Sequence, residues 1–113
     1  MIEEVFCRRD WGTWEVIDKG PWYKVKRLVI DSGKSISLQF HLKRSETWAI
    51  TAGLGEVRLD GKTFQVKQGD TFVVPIGAVH KITNTSKLPL VIIEVQCGEI
   101  TEEDDIVRLG VKP

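Results

Sequence analysis

Residues 33–53 read GKSISLQFHLKRSETWAITAG, and residues 69–84 read GDTFVVPIGAVHKITN. Across Lys34–Leu42, Ile36, Leu38, Phe40 and Leu42 alternate with Ser35, Ser37, Gln39 and His41, the two-residue period of a strand with one apolar and one polar face. Glu46–Ala52 follows as a second strand, with Glu46, Trp48, Ile50 and Ala52 sharing a face. Outward from this pair the pattern repeats. Tyr23–Ile30 carries Val25, Leu28 and Ile30 among basic residues, and Glu56–Leu59 and Thr63–Val66 flank Asp60-Gly61, a strong hairpin signal. Thr71–Val74 and Leu90–Gln96 are short apolar strands, and Lys81–Asn84 is a further candidate. Glycines at 33, 53, 55, 61, 69, 77 and 98 punctuate these runs. Many short strands with turn signals and no helical period predict an all-β sandwich or small barrel. Only Thr101–Val107 offers a helical turn, and Glu102–Asp105 reads as a solvated segment.

The chain has 113 residues, 42% of them hydrophobic, which suits one domain around one core spanning 1–113. Sixteen basic and sixteen acidic side chains cancel, with a pI near 6.7. That balance excludes a dedicated binder of nucleic acid or of an anionic membrane, while leaving room for a local basic pocket. No apolar run approaches the roughly 18–20 residues that span a bilayer. Met1-Ile2-Glu3-Glu4 lacks the basic and apolar regions of a secretory leader. Cys7 and Cys97 are isolated, which fits a reducing compartment better than a disulfide framework. A cytoplasmic location is therefore expected.

The chain has two histidines. His41 follows Gln39 by two positions on one strand face, and Glu46 opens the next strand. His80 lies beyond Pro75-Ile76-Gly77, in a turn between strands. Two strands and a loop can thus converge an amide oxygen, two imidazoles and a carboxylate, an adequate shell for a divalent transition metal. Read singly, each residue has a plainer alternative. Gln39 and His41 can be outward polar residues, Glu46 can pair with Lys43 or Arg44 on the surface, and His80 can be a loop histidine. The alternation also puts Ile36, Leu38 and Phe40 on the face away from the site, against the other sheet or a second subunit.

The spacing adds to this reading. Gly33, Gln39, His41, Glu46 and Gly53 form one frame, and Gly69, Pro75, Gly77, His80 and Asn84 a second. The two frames resemble the paired motifs of the cupin superfamily, with Gln39 where most metal-binding members have a histidine. The implied fold is a cupin-type double-stranded β-helix, a jelly-roll barrel with the metal inside. A longer resemblance covers nearly the whole chain: Arg9-Asp10-Trp11-Gly12, Tyr23–Arg27, Gln39-Phe40-His41, Arg44–Trp48, Pro75–His80, and Glu94–Glu99 through Asp104–Arg108. In order, these are similar to the type II mannose-6-phosphate isomerase domain, which in larger bacterial enzymes follows a mannose-1-phosphate guanylyltransferase domain. No glycine-rich nucleotide-binding segment is present here, so no guanylyltransferase activity is expected.

The resemblance implies a metal-dependent isomerase that interconverts mannose 6-phosphate and fructose 6-phosphate. Its implied metal ligands are Gln39, His41, Glu46 and His80, around a divalent ion, with zinc expected. It also implies a homodimer. The chain departs from the family at Leu42, Lys43 and Thr47, where histidines are usual, and at Asp10, where the signature has proline. The missing histidines favour an alternative, a non-catalytic metal- or sugar-binding cupin module; another cupin enzyme is a third reading, which Gln39 weakens because the usual three-histidine set is incomplete.

The isomerase reaction needs stabilisation of a developing negative oxygen, a base for a carbon-bound proton, and a cationic pocket for the phosphate. Lys24, Lys26 and Arg44 are the substrate-binding candidates. Lys24 and Lys26 share a strand face and Arg27 takes the other, although a solvated face explains the lysines equally well. Arg44, between two proposed ligands, is the first choice for substrate contact and is also placed in the catalytic set. Glu94 is the candidate base, because it interrupts the apolar strand Val91–Val95 and burial there raises a carboxyl pKa. Its alternative is a buried carboxylate paired with a strand lysine or arginine. Trp11, Trp14, Trp22 and Trp48 can stack on sugars, but core or interface packing is the expectation for at least Trp48.

Overall fold

The computed structural model describes residues 5–41, 44–98 and 106–108, with side chains for 5–36 and 44–98. Every regular element among them is a strand: β1 (Phe6–Arg9), β2 (Gly12–Gly20), β3 (Tyr23–Ile30), β4 (Ser35–His41), β5 (Arg44–Ala52), β6 (Leu54–Leu59), β7 (Lys62–Lys67), β8 (Thr71–Val74), β9 (His80–Asn84), β10 (Leu90–Gly98) and β11 (Ile106–Arg108). They form a six-stranded sheet in the order β1-β2-β3-β10-β5-β8 and a five-stranded sheet in the order β11-β4-β9-β6-β7. Neighbours pair antiparallel throughout. Chain neighbours such as β3 and β4, or β4 and β5, lie in different sheets, so the chain winds between two layers whose inner faces make the core. No helix among the described residues is long and apolar enough to cross a membrane.

Local chemistry explains the punctuation. Asp60 and Gly61 have φ of 49° and 81°, the two positive angles of the hairpin turn expected between β6 and β7. Gly53 has φ 95°, and a Cβ there would stand 2.6 Å from the Pro89 carbonyl oxygen. Only glycine lets β5 turn into β6 against that backbone.

Cross-strand register arranges the inner face of the larger sheet in rows. Ile30 faces Leu90, and Leu28 is flanked by Trp14 on one side and by Ile92, then Ile50, on the other. These six side chains are buried and packed in one core with Val57, Val66, Val74 and Ile82. The next row runs Val16, Lys26, Glu94, Trp48, Phe72, and the one beyond it runs Lys24, Gln96, Glu46, Val74. The same inner face is therefore apolar at one end and polar at the other.

The predicted strands are found with small shifts in their ends, and three expectations are corrected. His80 is not in a turn but is the first residue of β9. Ile106 and Val107 belong to strand β11, paired with β4, and not to a helical turn. The remainder of that predicted turn, and the acidic run Glu102–Asp105, lie outside the described residues.

The third correction concerns β4. Ile36 pairs with Ile82 and Gln39 with His80, so three steps on β4 match two on β9: a β-bulge. The extra residue resets the strict alternation. Ile36, expected to face away from the site, is buried in the molecule's own core at 7% exposure, while Gln39 takes the register position opposite His80.

Candidate active site

Strands β3, β5, β9 and β10 bring Lys24, Lys26, Arg44, Glu46, His80, Glu94 and Gln96 to the polar end of the interior, each no more than 5% exposed. The strand period does this work. Lys24 and Lys26 are two residues apart on β3, Arg44 and Glu46 on β5, and Glu94 and Gln96 on β10, so each pair shares a face. The lysines are therefore not on a solvated face. Arg27, one position on, points outward and meets Glu15 at 2.5 Å, as its alternation predicts.

Glu46 is the best-anchored member. Arg44 Nε donates to its Oε2 at 3.0 Å, and Trp48 Nε1 donates to its Oε1 at 2.8 Å. A buried carboxylate needs such donors. Trp48, 2% exposed, is both core and hydrogen-bond donor, and it meets the His80 ring edge-on at a centroid distance of 5.8 Å. His80 Nδ1 lies 3.2 Å from the Ala78 carbonyl oxygen. A carbonyl only accepts, so Nδ1 carries a proton. Nε2 lies 3.9 Å from Glu46 Oε1.

An imidazole and a carboxylate side by side are both ligand types for a divalent transition metal. A backbone carbonyl fixing the far nitrogen is also the usual support of a metal-binding imidazole. This donor set fits a divalent metal. Among the described residues no group of three His, Cys, Asp or Glu side chains forms a complete site. Gln39 and His41 enter through register alone, Gln39 opposite His80 and His41 opposite Ile106.

Glu94 stands between Lys26 and Trp48 in register and accepts from Gln96 Nε2 at 2.6 Å. Burial first, and the nearby Glu46 charge second, raise its pKa from the usual 4.5 to about 8, against the opposing pull of Lys26, Arg44 and the Gln96 hydrogen bond. Lys26 Nζ also lies 4.2 Å from the centroid of the Trp14 ring, a cation–π contact.

Gln96 is the member that sequence reasoning missed. The signal for it was present, since it lies two residues beyond Glu94 on the same strand. Trp22, by contrast, is 63% exposed. A groove of about 330 Å³ lies on the outer face of β6, β7 and β9, lined by Glu56, Arg58, Gly61, Thr63, Lys81 and Thr83. It contains none of the residues above.

A family model described as "Mannose-6-phosphate isomerase C-terminal" matches residues 2–111. A mannose-1-phosphate guanylyltransferase of Escherichia coli K12 is 40% identical over 102 residues, covering 90% of this chain and 21% of the relative. The alginate biosynthesis protein AlgA of Pseudomonas aeruginosa is 41% identical over 101 residues, covering 89% of this chain and 21% of the relative. The chain thus spans about a fifth of the length of these curated relatives.

Among solved structures, the oxalate decarboxylase formate complex of Lactobacillus farciminis superposes with a TM-score of 0.82 at 24% identity. It covers 94% of this chain and 33% of that one. The Cnp3 cupin domain of Schizosaccharomyces pombe superposes with a TM-score of 0.74 at 20% identity, covering 76% and 64%. At these identities the structures speak to fold alone, and the fold is the cupin double-stranded β-helix expected from the spacing of the two glycine frames.

Proposed function

This chain belongs to the mannose-6-phosphate isomerase C-terminal family of cupins, and from that premise we propose that it is a metal-dependent sugar-phosphate isomerase interconverting mannose 6-phosphate and fructose 6-phosphate. The observation that carries the reading is the buried polar row itself. Three basic side chains, two carboxyls, an imidazole and an amide share the inner end of one small barrel. Burying charged groups is costly unless they are paired or used by a ligand or reaction, and such a concentration of them inside a small barrel marks a candidate site.

Gln39, His41, Glu46 and His80 would hold a divalent ion, zinc by the resemblance. When bound, such an ion supplies Lewis-acid stabilisation of negative charge developing on a substrate oxygen. The chain's own residues have the remaining work. Lys24, Lys26 and Arg44 attract the phosphate dianion, and Arg44 is held in place by Glu46. Glu94 removes the proton from C2 of the aldose and returns one to C1 of the enediol, while a proton moves from the C2 hydroxyl to the C1 oxygen. A carboxyl with a pKa of about 8 both takes and releases a proton near neutrality. Gln96 Nε2 fixes the direction of that carboxyl.

The test is conversion of mannose 6-phosphate to fructose 6-phosphate by metal-stripped protein resupplied with zinc, manganese or cobalt. Turnover that returns with metal and is absent in His80→Ala supports the assignment. Bound metal with no turnover for any of the three eliminates the isomerase and leaves a metal- or sugar-binding module. The family departures at positions 42, 43 and 47 favour that second reading. Thr47, however, is exposed on the outer face of β5, opposite in direction to Glu46 and Trp48. A histidine there would not reach the polar row of this chain, so one of the three departures does not bear on the interior. Lys43→His remains the informative gain-of-rate variant.

A further inference from the structure

One polar atom of the row has no role in the mechanism above. Gln96 is 1% exposed and stands in register between Lys24 on β3 and Glu46 on β5. Its Nε2 donates to Glu94, and its Oε1, also buried, has no hydrogen-bond partner among the described residues. A side-chain amide ordinarily satisfies both ends when it is buried. Here Nε2 is directed at a Glu94 oxygen, which leaves Oε1, an acceptor, among polar neighbours rather than in the apolar core. A buried acceptor with no protein donor is matched by a donor that arrives with a ligand, and a phosphorylated polyol brings several hydroxyls.

We propose that Gln96 is a specificity-determining residue, whose Oε1 accepts a hydrogen bond from one hydroxyl of the bound sugar phosphate while its Nε2 orients Glu94. The inference rests on the sugar-phosphate reading but not on turnover. It commits the site to a hydroxyl donor beside Glu94 and against an analogue that carries only hydrogen at that carbon. An amide oxygen has nothing to accept from a methylene, so loss of the hydroxyl leaves the oxygen buried and unmatched in the complex.

The experiment is calorimetric titration of the full chain with mannose 6-phosphate and with its 2-deoxy, 3-deoxy and 4-deoxy analogues, in wild type and Gln96→Met. Wild type is expected to bind one of the three analogues at least about tenfold more weakly than mannose 6-phosphate. In Gln96→Met that same analogue and mannose 6-phosphate bind alike, because the acceptor is gone. Gln96→Glu keeps an oxygen at this place and is expected to keep the penalty. Gln96→Ala, which opens space, gives the same comparison if the methionine variant fails to fold.

A penalty that is equal in wild type and variant, or absent for all three analogues in wild type, overturns the role of Gln96 while leaving the sugar-phosphate reading intact. Wild type that binds none of these sugars overturns that reading and the inference together.

Discussion

The Glu94 carboxyl keeps its proton to about pH 8 in the folded chain and releases it near 4.5 when the chain unfolds. Between those values folding takes up a proton, so stability falls as pH rises from about 4.5 to about 8 and levels off above. Glu94→Gln keeps the shape and removes the titration. It is expected to flatten that slope and to unfold at higher denaturant than wild type near pH 9, with turnover lost. Chemical denaturation of metal-free protein at about pH 5 and about pH 9 checks the first two outcomes, and the isomerase assay checks the third.

His80 supports a separate prediction. His80→Ala removes the imidazole that faces Glu46, and elemental analysis of protein purified without added metal should then show divalent metal in wild type and little in the variant. Equal content in both would remove His80 from the ligand set. These residues were unevenly legible. Glu94 announced itself as a charge inside an apolar run. For Lys24 and Lys26 the period fixed a shared face but not its direction, since lysine on a strand ordinarily faces water. What turns them inward is Leu28 and Ile30 on the same face, buried at 5% and below.

At the level of elements, the correction on β4 has a definite origin. Alternation counts residues on one strand and carries no record of an extra residue in its pairing, so the bulge between Ile36 and Gln39 was invisible until β9 was laid beside it. The Asp60-Gly61 turn shows the converse. Its type was legible from two residues, but its reach was not. Asp60 N–H donates to the Val79 carbonyl and Asp60 Oδ1 accepts from Val79 N–H, both at 2.8 Å. The tip of the β6–β7 hairpin thereby clamps the backbone that delivers His80 into β9.

Asp60→Ala loses the side-chain half of this clamp and a residue tolerant of positive φ. It should destabilise the fold by about 1–2 kcal/mol and weaken metal retention. Asp60→Asn keeps an acceptor oxygen and suits the turn, so it should be close to wild type. Thermal unfolding with metal analysis on both variants measures the difference, and equal behaviour would make the turn a local feature only.

Across the whole molecule, burial divides the interior into an apolar end that holds the sheets together and a polar end that does not. Ile30, Leu90, Ile92 and Ile82 have no exposed surface, while the rows one and two steps away carry the basic and acidic groups. Stability and chemistry thus occupy opposite ends of the same strands, and variants of the polar row should be tolerated by the fold so long as Glu46 and Arg44 change together. Glu46→Ala alone leaves a buried guanidinium without its carboxylate and should cost about 3–5 kcal/mol.

The outer surface carries the last expectation, the homodimer implied by the family resemblance. Ile36 is spent on the protomer's own core. The apolar side chains left exposed include Val5, Phe6 and Ile17, at 61%, 58% and 46%, on or beside the first two strands. Strand β1 ends the six-stranded sheet, and an edge strand with exposed apolar residues is a place where a second copy would pair. Light scattering coupled to size exclusion should give twice the chain mass for wild type and one chain mass for Phe6→Asp, with metal content unchanged because the polar row lies in the interior of a single protomer. A wild type that elutes as a single chain at all concentrations would show that the barrel stands alone and that its exposed edge serves something else.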